Sequence, residues 1–341
     1  MAGSDVIAAP KKDVEAFTFG EPETVLNGRD IMDYSESWFN GRWYEPPISF
    51  DGLAKTYRVS PHHSSAIQVK KNVLVKMFKP HKLLSRQEFE KFVLDDIVFG
   101  NAYLEKVESR MRTPMRLKHS LAKYTRRAKN DRYWFAHSYA NPHEFAEGSI
   151  FHMLQPDINQ EVYGLPEYLS SLQSAWLNES ATVFRRRYYD NGSHAGFILY
   201  INDASQSADD IDSIRKALKD SKGPGNFRNL FLYAPDGKKD GIQVIPISEV
   251  MAKDEFFNIK NVTRDDLMAG HRVPPQMLGV IPTNTSGLGD PSTAAKVFVA
   301  NEAMPMQERY RAINDWLGEE VISFEPYVIE GLESQPPASS G

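Results

Sequence analysis

Cysteine is absent from this chain of 341 residues. The protein therefore has no disulfide framework, no thiolate nucleophile and no cysteine-ligated metal site. No run of about eighteen or more apolar residues occurs, so the sequence predicts no transmembrane helix. The first residues lack the basic and apolar regions of a secretory signal. The remaining composition, 41% hydrophobic and 25% charged, is typical of a soluble globular protein and excludes a wholly disordered chain or a coiled-coil rod.

The chain also lacks an excess of positive charge, because 40 Lys and Arg stand against 45 Asp and Glu. Proteins that hold duplex DNA tightly are usually basic, since their affinity comes largely from neutralising phosphates. The segment 110–132 departs from this balance, because it contains nine basic residues and only one acid, Asp131. The nine are Arg110, Arg112, Arg116, Lys118, Lys123, Arg126, Arg127, Lys129 and Arg132. Two interpretations stay open: a strand hairpin with basic outer faces, or a docking surface for nucleic acid or an acidic partner.

Motifs of catalysis are missing as well. The segment 287–289 (GLG) precedes a predicted helix, but no Gly-Lys-Ser/Thr follows it, so it is no nucleotide-binding P-loop. None of the nine histidines forms a His-Glu-x-x-His pair. Adjacent carboxylates such as Asp95 and Asp96 point apart on a helix, and we interpret them as solvated charges or as charges at helix N-termini. The sequence predicts no catalytic, cofactor-binding or metal-binding residue, and no enzymatic activity.

Local signals predict an α+β chain. Ser85 and Glu88 have the spacing of a capping box for a helix that ends at Gly100. Ser207 or Asp209 is a candidate cap for a short helix further on. Strands are predicted from alternation or from short apolar runs, at 102–107, 132–135, 150–154, 196–201, 230–233 and 242–246.

Three longer helices are predicted in the second half of the chain. One begins at Pro166 and ends near 191, and another spans about 253–270, so the two bracket a small αβ insert. The third has about 27 residues, from Pro291 to Gly318, with a kink at Pro305. Long helices on both sides of an insert favour an assembly protein rather than an enzyme.

Six stretches, in this order and spacing, resemble the portal (head–tail connector) proteins of tailed bacteriophages, in particular those of temperate contractile-tailed phages. They are 15–22 (EAFTFGEP), 40–47 (NGRWYEPP), 99–102 (FGNA), 156–166 (PDINQEVYGLP), 231–235 (FLYAP) and 271–279 (HRVPPQMLG). None is specific alone, but together they cover nearly the whole chain, from about 16 to 324.

The resemblance implies a fold with an α/β wing, a two-helix stem, a small αβ clip and a long kinked helix, with a minimal or absent crown. The expected boundaries are 1–15 for a flexible N-terminal tail, 16–165 for the wing, 166–194 and 251–273 for the stem helices, 195–250 for the clip, 274–318 for the tunnel loop and kinked helix, and 319–341 for a short C-terminal segment and flexible tail.

The resemblance also implies a function. Such proteins form a ring of about twelve subunits at one capsid vertex, and the ring is the channel for double-stranded DNA during packaging and ejection. Its expected partners are further copies of itself, DNA without sequence preference, terminase, the major capsid and scaffolding proteins, and head-completion or tail proteins. No membrane partner is expected. The expected location is the virion, with the host cytoplasm during assembly.

Two sets of site residues follow from these expectations. The candidates that approach DNA in the channel or tunnel loop are Lys260, Arg264, Thr283, Asn284, Thr285, Ser286, Gly287, Leu288 and Gly289. The candidates for partner contacts on the clip helix are Asp209, Asp210, Arg215, Lys219 and Lys222, which a plain solvated helix face would explain equally well.

Two alternatives remain at the level of sequence. A nuclease or motor of DNA packaging would show nucleotide hydrolysis or metal-dependent cleavage, and the missing P-loop and missing metal carboxylates count against it. Another structural head protein, such as an adaptor or a capsid subunit, would form a shell, a tube or a small ring. The two long helices around an αβ insert count against that class.

Overall fold

The computed structural model describes residues 37–138, 140–190, 197–201, 230–233, 242–246, 249–279 and 291–328. The chain divides into two compact units, and the division falls inside two long helices. One unit contains Glu179–Asn261, and the other contains the described residues before 179 and after 261. Within these ranges no helix combines the length and the apolar character that crossing a bilayer requires.

Three helices open the larger unit: α1 (Phe50–Thr56), α2 (Pro61–Met77) and α3 (Arg86–Phe99). The Ser85 side chain accepts a hydrogen bond from the Glu88 backbone N–H at 3.3 Å, which confirms the predicted cap of α3. The second hydrogen bond of the predicted capping box, from the Ser85 backbone N–H to the Glu88 side chain, is wrong. The Glu88 carboxylate instead accepts from the His119 backbone N–H at 2.6 Å and from Lys91 at 2.7 Å, so each of its two oxygens already has a donor.

Two small sheets pack with these helices. The first has the order β2–β1–β6 and is antiparallel throughout, with Leu104 opposite both His119 and Phe151. The second has the order β3–β4–β5 and is also antiparallel. The strands are β1 (Asn101–Glu108), β2 (Pro114–Ser120), β3 (Thr125–Arg127), β4 (Tyr133–Phe135), β5 (His143–Glu144) and β6 (Ile150–Leu154).

The smaller unit contains a third sheet, made of β7 (Phe197–Ile201), β8 (Leu230–Tyr233) and β9 (Ile242–Pro246). The central strand β7 pairs parallel with β8 and antiparallel with β9. A parallel pair of consecutive strands requires a long crossover connection. The helix predicted after Ser207 or Asp209 falls in that connection and lies outside the described residues.

The long helices differ from their predictions mainly in their ends. A 3₁₀ turn, Glu167–Ser171, precedes α4 (Leu172–Asp190), and α5 (Glu249–His271) is longer than predicted. The third helix is interrupted, with α6 (Pro291–Phe298), a π-helical turn (Val299–Ala303) and α7 (Met304–Leu317) in sequence. The sequence predicted a kink at Pro305, and the structure has a π-helical turn at this place. Pro305 lacks an N–H and its ring would clash with a carbonyl one turn earlier, which favours a wider turn before it.

Aromatic rings fill the centre of the larger unit. Phe78 and Phe89 stack with ring centroids 4.0 Å apart, and Tyr310 of α7 meets Phe89 and Phe92 edge to face at 5.8 and 5.7 Å. All four side chains are buried. This cluster fixes α7 against α2 and α3, and with it the π-helical turn that precedes α7.

Candidate assembly junction

Helices α4 and α5 lie side by side and run in opposite directions. Three hydrogen bonds between their side chains define this pairing: Ser174 with Asp266 at 2.9 Å, Asn178 with Thr263 at 2.8 Å, and Thr182 with Lys260. Residues later in α4 thus contact residues earlier in α5, as in an antiparallel pair. The Asn178 amide is buried and also accepts from Ser60 of the segment before α2 at 3.2 Å. Polar contacts of this kind fix which residues face each other along the pair.

A charge cluster around one buried lysine, which we call the junction, lies where α2 meets the ends of the long helices. Lys70 of α2 is only 5% exposed and lies 3.5 Å from Glu302 in the π-helical turn and 3.9 Å from Glu167 in the 3₁₀ turn. Arg272, directly after α5, pairs with the same two carboxylates, and its contact to Glu302 measures 3.1 Å. Burial lowers the pKa of Lys70, and the two carboxylates oppose that shift. Two cations and two carboxylates therefore hold four chain segments together.

Two histidines adjoin the junction. His63 Nδ1 and His271 Nε2 are 2.9 Å apart, and the Tyr168 ring packs against both with centroids 4.7 and 5.3 Å away. Burial lowers the pKa of His63 to about 4, and burial together with the neighbouring His63 and Lys70 lowers the pKa of His271 to about 2. Both imidazoles are therefore neutral at physiological pH, and one donates a hydrogen bond to the other.

We expect the stability of the chain to fall as the pH drops from 6.5 towards 4. An unfolded histidine binds a proton below its ordinary pKa of 6.5, whereas buried His63 stays neutral, so acid favours the unfolded state by on the order of 2 kcal/mol at pH 5 for this group. Urea unfolding of His63→Asn at pH 7 and pH 5 should show a smaller loss than the parent chain. His137→Asn, at an exposed position, should leave the loss unchanged. Equal losses for His63→Asn and the parent would contradict this assignment.

The stretches 99–102 and 156–166 meet at a dense set of backbone contacts. The Asn101 side chain donates to the Gly164 carbonyl at 2.8 Å and accepts from the Gly164 N–H at 2.9 Å. The Gln155 N–H donates to the Gly100 carbonyl at 2.8 Å. Gly100 adopts φ +66°, and a Cβ atom there would lie 2.5 Å from the Leu165 carbonyl carbon. Both glycines are required because two backbone segments touch with no space for a side chain.

The stretch 40–47 joins the same region through Tyr163. The Tyr163 hydroxyl donates to the Tyr44 carbonyl at 2.7 Å and accepts from the Arg127 N–H at 3.0 Å. Glu45 accepts from the Trp43 indole N–H at 3.0 Å. Three of the stretches that carried the resemblance are thus adjacent in the fold, and the last of them leads into the 3₁₀ turn that precedes α4.

Asp95 and Asp96 correct the sequence interpretation, because neither carboxylate is solvated. Asp95 accepts from the Ala122 N–H at 2.6 Å and pairs with His119 at 2.7 Å. Asp96 accepts from the Tyr310 hydroxyl at 2.8 Å and lies 3.5 Å from Arg309 of α7. Burial raises the pKa of both carboxyls, and these partners act against the shift. The two acids link α3 in opposite directions, one to the first sheet and one to α7.

Of the channel candidates, only two lie in the part of the chain that the structure describes. Lys260 donates to Thr182 of α4, and burial followed by the nearby Arg185 lowers its pKa. The Arg264 side chain is 14% exposed and pairs with Asp265 at 2.9 Å. Their assignment to a DNA channel stays a prediction. The tunnel-loop candidates Thr283–Gly289 and the clip candidates Asp209, Asp210, Arg215, Lys219 and Lys222 lie outside the described residues.

The nine basic residues of the segment 110–132 do not lie on one hairpin. Four of them lie on strands of two different sheets, Arg116 and Lys118 on β2 and Arg126 and Arg127 on β3, and the other five lie in the turns beside those strands. Five of them pair with carboxylates, and one covers an aromatic ring: Lys118 with Glu105, Lys123 with Asp51, Arg126 with Glu45, Arg127 with Asp131, Arg132 with Glu144, and Lys129 over Phe39. The other three, Arg110, Arg112 and Arg116, are exposed and have no carboxylate within ion-pair distance among the described residues. Most of this charge is therefore paired within the chain, and the three exposed arginines are the exception among the described residues.

The residues that sequence reasoning missed are those of the junction. Lys70, Glu167, Arg272 and Glu302 are far apart in the chain, and none belongs to a recognisable motif. Only Glu167 and Arg272 gave a signal, since they lie in or beside the stretches 156–166 and 271–279. In the described ranges, no three His, Asp or Glu side chains come together as they would in a metal site.

Comparison with known sequences identifies the relatives of this chain. The family model described as "Phage portal protein" matches residues 54–331. The probable portal protein of Escherichia phage P2 is 58% identical over 318 residues, which covers 93% of this chain and 92% of that protein. The probable portal protein of Haemophilus phage HP1 (strain HP1c1) is 36% identical over 312 residues, with 89% of each chain covered.

Solved structures share the fold at low sequence identity. A chain from the virion of a native gene transfer agent particle superimposes with a TM-score of 0.60 at 16% identity, covering 84% of this chain and 86% of that one. The crystal structure of an HK97 family phage portal protein from Corynebacterium diphtheriae gives a TM-score of 0.56 at 12% identity, covering 80% and 94%. The sequence matches show, and the α+β architecture with its paired long helices agrees, that the chain belongs to the phage portal protein family.

Proposed function

We propose that this portal protein assembles into a closed ring of about twelve subunits at one capsid vertex. The ring is the channel through which double-stranded DNA enters the head and later leaves it. The observation that carries this proposal is the family match over residues 54–331 together with 58% identity to a phage P2 portal protein. A net charge of −5 suits a passage in which DNA slides, because many tight phosphate contacts would hold it back.

The geometry supports a structural role. The antiparallel pair α4–α5 is joined by side-chain hydrogen bonds, and its ends meet α2 and the π-helical turn at the junction. A stem of two paired helices needs a fixed base of this kind if neighbouring subunits are to present the same surfaces. We assign no catalytic activity to the chain, and the nuclease, motor and adaptor alternatives lose their support once the family is known.

The proposed partners are those of a connector. The clip candidates on the segment 195–250 would receive the packaging terminase and later the head-completion or tail proteins. The wing would contact the major capsid and scaffolding proteins. The protein would occupy the portal vertex of the virion, after assembly in the host cytoplasm.

The mass and shape of the purified chain test the proposal. Twelve chains of 38.7 kDa give a particle of roughly 460 kDa, and negative-stain microscopy should show a ring with a central hole. Light scattering over a range of salt concentrations measures the mass independently. A monodisperse monomer or dimer at high protein concentration, unchanged by salt, would contradict the proposed ring.

A further inference from the structure

Three arginines at the turn between β1 and β2 lie beside two exposed methionines. Arg110, Arg112 and Arg116 are exposed, and among the described residues none has a carboxylate within ion-pair distance. Met111 is 88% exposed and Met115 is 62% exposed. We call this group, residues 109–116, the arginine turn. It combines three positive charges with an apolar surface that the described part of the molecule does not cover.

The backbone of the arginine turn is held in one conformation. The Ser109 hydroxyl accepts from the Met111 and Thr113 N–H groups, both at 3.2 Å, and the Ser109 N–H donates to the Thr113 carbonyl at 2.9 Å. Arg112 adopts the left-handed φ of +59°, which is unusual for a residue with a side chain. A turn ordered in this way loses little conformational entropy when a partner binds.

The side chains of the turn favour a protein partner over nucleic acid. Methionine and arginine are both enriched in protein–protein interfaces. Phosphate neutralisation requires only the charges, and two exposed methionines contribute nothing to it. The partner surface should therefore carry carboxylates together with some apolar area.

The same unit of the chain carries such a surface in residues 312–328. Residues 312–328 contain four acids and no Lys or Arg. Glu319 pairs with Lys82 at 2.9 Å, whereas Asp315, Glu320 and Glu325 are exposed and have no cationic partner among the described residues. Val328, at the end of this segment, is 46% exposed. We call Asp315, Glu320 and Glu325 the acidic strip.

We propose that the arginine turn of one subunit docks on the acidic strip of the neighbouring copy. This inference rests on the proposed ring, because a ring of identical subunits is closed by two different and complementary surfaces on each copy. The structure describes no ion pair between the two groups within one chain, so both remain available to a second copy. The contact would contribute to subunit order and to the rate of association as well as to affinity.

A charge-swap experiment tests this contact in the full chain. The triple variants R110E/R112E/R116E and D315K/E320K/E325K should each raise the subunit concentration at half assembly roughly tenfold or more, as like charges then face each other. The combined six-residue variant should restore assembly towards the parent value, because the charges are again complementary. The variant K55E/R58E/K79E makes the same charge change at other exposed positions and is the matched control.

The possible outcomes separate this inference from the proposed ring. If the parent chain itself forms no ring, the proposed function fails and the inference fails with it. If the parent forms a ring and the arginine-turn variant assembles as the parent does, or the combined variant is not restored, the inference alone is wrong. Circular dichroism of each variant checks whether the fold is retained. A variant that assembles normally but loses binding to a duplex DNA probe would overturn the inference in favour of nucleic acid.

Discussion

Substitution of Gly164 by alanine is expected to destabilise the chain by about 3 kcal/mol or more, in the upper range for an overpacked site. A Cβ atom at this position would lie 2.3 Å from the Gly100 carbonyl oxygen and 2.4 Å from the Gln155 backbone nitrogen. Both obstacles are backbone atoms in hydrogen-bonded segments, so neither can move aside cheaply. Thermal or urea unfolding of the purified variant measures the loss.

Gly148→Ala is the matched control for this prediction. Gly148 adopts φ +69°, and a Cβ atom there would meet no other atom within 4 Å. Its substitution should cost only the left-handed backbone penalty, about 1 kcal/mol. Equal stability of the Gly164→Ala and Gly148→Ala variants would show that the contact between the two glycine segments is not the constraint described above.

Substitution of Glu302 by glutamine should have a comparably large effect, a loss of about 3 kcal/mol. The change keeps the shape of the side chain but removes the nearer negative charge, at 3.5 Å, from buried Lys70. The other carboxylate, Glu167, lies 3.9 Å from Lys70 and is shared with Arg272. A buried ammonium group that has lost one of its two carboxylate partners destabilises the folded chain, because water solvates the group in the unfolded chain.

Glu308→Gln provides the comparison, because the same chemical change is then made at an exposed site. Glu308 pairs with Arg311 one turn further along α7, and a surface pair of this kind is worth a few tenths of a kcal/mol. A loss for Glu302→Gln that is no larger than the loss for Glu308→Gln would remove the case for a charge cluster around buried Lys70 that joins the long helices.

The sequence predicted correctly those helix ends that depend on one particular residue type, such as a capping serine, a glycine or a proline. Ser85 caps α3, and Gly100 ends it with a left-handed backbone. Gly318 ends α7 in the same way, at φ +73°. Pro305 follows the π-helical turn. Each of these residues acts within a few positions of itself, so its effect can be deduced without knowledge of the fold.

Helix α2 was missed for a physical reason. Its buried face includes His63, Lys70 and Lys71, which interrupt the apolar pattern that identifies an amphipathic helix. In the folded chain each of these polar residues has a partner from another segment. Hydrophobic periodicity therefore does not identify the helix that contributes Lys70 to the junction.

The site residues show the same limit. The resemblance predicted the family correctly, and three of its sequence stretches meet in space, yet no pattern in the chain places Lys70 beside Glu302. Asp95 and Asp96 looked like surface charges because local sequence does not reveal His119 or Tyr310 as partners. Long-range pairing of charged groups is the information that one sequence lacks.

The junction also determines when the N-terminal part of this chain can finish packing during synthesis. His63 and its partner His271 are 208 residues apart, and the acid nearest to Lys70 emerges later still. At about 5–20 residues per second, the ribosome needs roughly ten to forty seconds to cover that separation. Until then Lys70 and His63 must stay in water, because burial without partners is unfavourable. The N-terminal part of the larger unit therefore waits, with α2 incompletely packed, for the last quarter of the chain.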